Sequence, residues 1–89
     1  MKKFYVYTLL SHKDKKFYTG FTTELKKRLQ AHARGEVKST RNRRPLKVIH
    51  CEYFINKQDA KAREIFLKSG FGRNQLKQAL KRTLKINKY

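Results

Sequence analysis

The chain has 89 residues, of which 38% are hydrophobic and 34% charged, enough for one small domain with a modest core. Twenty-four Lys and Arg stand against six Asp and Glu, a formal net charge of +18 that repels itself in the compact state and attracts polyphosphates. A single cysteine, Cys51, excludes an internal disulfide and a zinc site of several thiolates and fits a reducing, cytoplasmic compartment; no apolar run is long enough for a transmembrane helix.

The N-terminal stretch, residues 4–10, is rich in β-branched and aromatic side chains and predicts a strand rather than a secretory leader. Residues 11–16 are polar and predict a turn. Phe17–Thr22 predicts a second strand, paired with the first as an antiparallel hairpin. Thr22 or Thr23 can cap a helix with Glu24 in its first turn; Leu25, Leu29 and His32 recur at helical spacing to about Arg34, and Gly35 ends the run. Residues 36–45 form a basic loop. Leu46–Phe54 predicts a third strand, buried in its middle. Asn56 can cap the next helix, with Asp59 in its first turn and an apolar face of Ala60, Ala62, Ile65, Phe66 and Leu67. Residues 69–72 break that helix, residues 75–84 predict a last basic helix, and residues 85–89 a frayed tail. The order β-β-α-β-α-α defines an α+β domain over residues 1–89, a small three-stranded antiparallel or mixed sheet flanked by helices.

Chemistry enters through side chains that share a face. Alternation puts Tyr5 and Tyr7 on one side of the first strand, and Tyr18 and Gly20 on one side of the second. Placing Tyr7 opposite Tyr18 brings Phe4 to Phe21 and Thr8 to Phe17, a register the apolar pattern favours. Gly20 then leaves room for a ligand or another backbone. Arg28 and His32 are four apart and stack on one helix face. Glu64 interrupts the apolar stripe between Ala60 and Leu67, where a carboxylate needs a partner, either a cation ligand or a Lys or Arg. Packing tyrosines, a snorkelling arginine and a satisfied histidine are the plain alternatives for the other four residues. Cys51 is expected to pack as a small hydrophobe, with His50 facing the other way.

The run Tyr5-Val6-Tyr7, then Tyr18-Thr19-Gly20, then Arg28 and His32, continuing through Arg43-Arg44-Pro45 and Ala62-Arg63-Glu64 to Lys68-Ser69-Gly70, resembles the GIY-YIG endonuclease superfamily and its small stand-alone bacterial members. The triplets here differ in letters, but the tyrosines that matter are kept. The resemblance implies that Tyr7 and Tyr18 line an active site, that Arg28 holds the scissile phosphate, and that His32 assists proton transfer. It implies that Glu64 is the sole protein ligand of one divalent metal ion, Mg²⁺ or Mn²⁺. Asn74 matches a late family asparagine too loosely to join this set.

A free phenol has a pKa of about 10 and is a poor base at neutral pH. Dense Lys and Arg with a metal would favour the phenolate of Tyr7, and Lys16 at the turn could contribute. The expected activity is metal-dependent hydrolysis of phosphodiesters, in DNA more than RNA, by a structure-selective endonuclease of the repair or recombination type; the alternative is a binding module that does not cleave. Backbone contacts are expected from Lys16, from Arg41, Arg43 and Arg44 of the basic loop, and from Arg73, Lys77, Lys81 and Arg82 near the last helix. No recognition helix points to base-specific reading, no long amphipathic helix points to a membrane, and no obligate protein partner is indicated.

Overall fold

The computed structural model describes residues 1–86. Its central strand is β1 (Phe4–Ser11), flanked by β2 (Phe17–Thr22) and β3 (Leu46–Phe54) in the order β2-β1-β3, with both pairings antiparallel. Helix α1 (Leu25–Ala33) follows β2, and a short 3₁₀ turn (Arg41–Arg43) precedes β3. Helices α2 (Lys57–Lys68), α3 (Gly70–Ala79) and α4 (Lys81–Ile86) complete the described chain. The layered α+β architecture is the expected one, with an all-antiparallel sheet.

The hairpin register differs from the expected one by two residues. Tyr7 lies opposite Gly20, and Leu9 opposite Tyr18. A two-residue slip preserves which side chains share a face, so both tyrosines still point the same way. The turn sets this register. Ser11, fully buried, accepts the amides of Lys13 and Asp14 on its hydroxyl oxygen, and Lys15 takes a left-handed backbone at φ 62°. Ser11 also pairs by backbone with Lys16, so the loop closes over four residues, two more than the expected pairing allows. Thr8 consequently meets Thr19, hydroxyl to hydroxyl at 3.0 Å, while Phe4 still stacks on Phe21 along the diagonal at 6.3 Å.

One sheet face carries the apolar core. Val6 packs against Ala60, Leu67 and Leu76 of α2 and α3, ringed by Phe4, Phe17, Phe21, Phe54, Phe66 and Leu80. The other face carries Tyr5, Tyr7 and Leu9 with Tyr18 and Gly20. β3 is not the buried strand expected: it is an edge. Its pairing with β1 shifts register between Thr8 and Leu9, and Val48, Cys51 and Tyr53 are exposed. Cys51 is therefore a free, exposed thiol and not a core residue. His50 turns to the opposite face, as alternation requires, and bonds Glu52 at 2.8 Å.

The helix ends follow their capping chemistry. Asn56 accepts the Asp59 amide at the start of α2, as expected. At α1 the cap position is Glu24 itself, and Thr22 accepts the Glu24 amide one step earlier. Gly35 ends α1 at φ 77°. The break after α2 is one residue long, where four were expected. Ser69 closes α2 by donating to the Phe66 carbonyl and opens α3 by accepting the Gly72 amide at 3.0 Å, so Gly70 and Gly72 lie inside a helix. The last helical segment then splits between α3 and α4. Of the expected frayed tail, Lys85 and Ile86 belong to α4, and residues 87–89 lie outside the described residues.

Gly72 permits the α2–α3 corner, because a Cβ there would run into the Phe66 carbonyl; at Gly70 a Cβ would meet open space. Gly72→Ala should therefore lower stability by roughly 1–3 kcal/mol, while Gly70→Ala should leave it unchanged or raise it by up to about 1 kcal/mol. Urea unfolding midpoints of the two variants check the contrast.

Candidate active site

Tyr7 sits in the middle of the central strand and is fully buried. Its ring needs the space opposite it. A Cβ on Gly20 would lie 2.5 Å from the Tyr7 hydroxyl, so the glycine makes room for the Tyr7 ring, where a ligand or another backbone was expected. The Tyr7 hydroxyl lies 2.7 Å from His32 Nε2, and His32 Nδ1 lies 2.7 Å from the Thr40 hydroxyl. His32 and Thr40 are as buried as Tyr7. Tyr18 stands edge-on to the same imidazole, with ring centres 5.3 Å apart. Within the described residues every buried side-chain nitrogen and oxygen has a partner.

Arg28 lies one helical turn before His32 and is exposed. Its guanidinium interacts with the Tyr7 phenol first and with Tyr18 second, and the Tyr7 interaction holds its pKa up. Burial pushes the Tyr7 phenol above its ordinary pKa. Arg28 opposes that rise, and the nearby charges of Tyr18 and Glu64 reinforce it. The phenolate is thus disfavoured in the ligand-free site, contrary to the expectation from the Lys and Arg content: burial outweighs the cation. His32 is pushed down to about 4, first by burial and then by the Arg28 charge, so it is neutral at physiological pH.

Glu64 reaches this neighbourhood from α2, and its charge is felt at Tyr7. It is 9% exposed, and both oxygens are engaged, Oε1 by Lys61 at 3.2 Å and Oε2 by Lys68 at 2.9 Å. Burial raises its pKa, but the two lysines outweigh that and the carboxyl ends below its ordinary value. Among the described residues there is no group of three or more His, Cys, Asp or Glu that could hold a metal ion. A lone carboxylate does not suit zinc, which takes at least three protein ligands. It does suit magnesium, which keeps several waters and leans on substrate phosphates. A cation at Glu64 would have to displace at least one of the two ammonium groups.

The structure thus packs Tyr7, Tyr18 and His32 together, with Arg28 one helical turn before His32 and the Glu64 charge acting on Tyr7 from α2, and it sets Lys16 apart. That lysine lies at the far end of the hairpin with Phe17, Arg43, Arg73 and Lys77, where the five line a cationic cleft. Arg41 and Arg44 line a second hollow with Lys13 and Asn42, and Lys81 is exposed at the start of α4. Arg43 has a structural task as well. It binds both Asp14 oxygens, at 2.7 and 3.3 Å, and holds that carboxyl down at about 2. The Ser11 hydroxyl donates to the Arg43 carbonyl at 2.6 Å. Together these bonds tie the basic loop to the hairpin.

Two features escaped the sequence reading. Thr40 lies in an aperiodic loop, where no spacing rule connects it to His32. Lys61 and Lys68 were not singled out as partners of Glu64, although their places three before and four after it on one helix carry that signal.

With this geometry in hand, comparison with known proteins assigns the class. The GIY-YIG catalytic domain matches residues 3–78, and the chain belongs to that family of nuclease domains. Its relatives include a UPF0213 protein of Clostridium perfringens, 44% identical over 77 residues, covering 85% of this chain and 81% of the relative. A UPF0213 protein of Streptococcus pyogenes serotype M5 is 43% identical over 75 residues, covering 83% and 80%. The solution NMR structure of a UPF0213 protein from Bacillus halodurans shares the fold at a TM-score of 0.57 and 34% identity, covering 86% of this chain and 84% of that one. Among the described residues no helix is long and apolar enough to cross a membrane.

Burying His32 in its neutral form couples folding to pH. Its folded pKa, about 4, lies below the ordinary 6.5, so on acidification the unfolded chain takes up this proton first. The stability is fully present above that window and is lost as pH falls through it. Glu52, Glu64 and Asp14 are held below their ordinary values, so their losses come at lower pH. Between about pH 7 and about pH 5, His32 should account for a loss of about 2 kcal/mol. Urea unfolding of His32→Gln across the same interval should show a much flatter response.

Proposed function

We propose that this chain hydrolyses phosphodiester bonds of DNA with the help of one divalent cation, Mg²⁺ or Mn²⁺. The observation that carries the reading is the convergence of Tyr7, Tyr18, Arg28, His32 and Glu64 on a family-matched frame in a protein of net charge +18. The roles follow from the residue types. Arg28 grips a phosphate oxygen and stabilises the charge that builds on it. Because Arg28 is exposed while Tyr7 is buried, its movement onto phosphate is what opens the Tyr7 oxygen to the attacking water. Tyr7 then takes the proton of that water, with His32 bonded to the same oxygen. Tyr18 helps to orient Arg28 and closes one side of His32. A magnesium ion held by Glu64 would supply Lewis-acid neutralisation of the phosphate and the leaving oxygen.

The backbone grip is assigned to the cleft of Lys16, Arg43, Arg73 and Lys77, to Arg41 and Arg44, and to Lys81. With no base-reading element among the described residues, substrate shape such as a branch, nick or flap is the selecting feature, which suits repair or recombination DNA. A reducing, cytoplasmic setting accords with the free Cys51 thiol.

One observation favours a second reading, a binding module that does not cut: the ammonium groups of Lys61 and Lys68 occupy the Glu64 oxygens that the cation needs. Glu64→Ala separates the two. On labelled branched, nicked and duplex DNA with Mg²⁺, the variant should lose cleavage by on the order of 100-fold or more. Its binding, read by anisotropy, should hold or tighten, and for both proteins weaken about tenfold or more from roughly 50 to roughly 200 mM salt. Equal cleavage by variant and wild type would remove Glu64 from the mechanism, and absence of cleavage by both would leave the binding module.

A further inference from the structure

We infer that Thr40 is a positioning residue for this site: its hydroxyl oxygen accepts the Nδ1 proton of His32 and so keeps Nε2 free to accept the proton of Tyr7. The inference rests on the cleavage reading above for its consequence, though not for its geometry. The three groups form one buried line, with Tyr7 Oη to His32 Nε2 at 2.7 Å and His32 Nδ1 to Thr40 Oγ1 at 2.7 Å. None of them is more than 1% exposed, so water does not stand in for a missing partner.

The direction of the line follows from donor and acceptor capacity. A guanidinium has only donors, so with the Arg28 charge acting on the Tyr7 oxygen the phenol directs its own proton away from Arg28. His32 Nε2 is the acceptor at hydrogen-bond distance. A neutral imidazole that accepts at Nε2 carries its proton on Nδ1, and that proton points at Thr40. The threonine is held in turn by its backbone: its amide bonds the Val37 carbonyl, and its carbonyl takes the Arg43 amide. Arg43 is itself clamped to Asp14 and Ser11, so the hairpin turn fixes where the Thr40 hydroxyl stands.

The chemical consequence is a short proton path. As the water oxygen bonds to phosphorus, the phosphorus–O3′ bond breaks with its electron pair leaving on the 3′ oxygen, which solvent protonates; one water proton goes to the Tyr7 oxygen and the Tyr7 proton goes to His32 Nε2. The imidazolium so formed keeps its Nδ1–H bond to Thr40. The threonine does not carry the proton onward; it fixes the tautomer and the ring orientation that let His32 receive it.

The test pairs Thr40→Val, which keeps the shape and removes the oxygen, with Thr40→Ser, which restores it. Ring ¹⁵N shifts of His32 report the tautomer without any substrate. Wild type and Thr40→Ser should show a protonated Nδ1 and a bare Nε2, and Thr40→Val a shift toward the other tautomer. On cleavable DNA, Thr40→Val should lower kcat about 10- to 100-fold with KM little changed, and Thr40→Ser should recover most of it. A protonated Nε2 in the wild type overturns the proposal, as does a folded Thr40→Val with unchanged kcat. If Thr40→Val does not fold, the wild-type tautomer and the kcat of Thr40→Ser still decide. If no DNA is cut by any protein while the ring shifts behave as stated, the positioning role stands and the nuclease reading falls.

Discussion

Everything around the candidate site is arranged so that one phenol can be buried in the middle of the central strand. Burying Tyr7 removes its hydroxyl from water, and a hydroxyl without a partner there costs roughly 1–3 kcal/mol. His32 supplies the partner, Thr40 partners His32, and Gly20 gives up its side chain so that the ring fits. These four residues come from β1, α1, the basic loop and β2, so the hydrogen-bond line also fastens α1 and the basic loop onto one face of the sheet. The opposite face is held mainly by apolar packing, through Val6, Ala60, Leu67 and Leu76, with the Thr8–Thr19 bond and the Glu52–Arg63 ion pair beside it.

Charge is the second constraint. Acids are few, six against 24 Lys and Arg, and three of them gather cations into clusters. Asp14 fastens Arg43, Glu52 fastens Arg63 and His50, and Glu64 gathers Lys61 and Lys68. Two of these clusters join separate elements, Arg43 to the hairpin and Arg63 of α2 to β3, and the third runs along α2. Elsewhere, Lys16, Arg73 and Lys77 line one cleft and, among the described residues, form no ion pair with an acid.

Most of the fold was legible in the sequence because strand alternation and helical spacing are local. Tyr7 and Tyr18 were placed on one face by period two, and Arg28 and His32 on one helix face by a spacing of four; both survive in the structure. The hairpin register was missed because it depends on Ser11 and Lys15, whose turn geometry outweighed the cross-strand pairing of apolar residues. β3 was read as buried because its composition is apolar, yet position in the sheet is a tertiary fact, and the strand lies at an edge. Thr40 was invisible for a related reason: a loop has no period, and what brings it behind His32 is the Arg43–Asp14 clamp 29 residues apart in sequence. The rise in the Tyr7 pKa was misjudged because composition reports cations and says nothing about burial.

The central claim is that the Tyr7 oxygen takes part in breaking a phosphodiester. Tyr7→Phe removes that one atom and leaves the ring against Gly20 and His32. The decisive measurement is the single-turnover cleavage rate of this variant against wild type on the best-cut DNA, with Mg²⁺ present. The account predicts a rate lower by about 100-fold or more with DNA affinity retained. A folded Tyr7→Phe that cuts at the wild-type rate would contradict it.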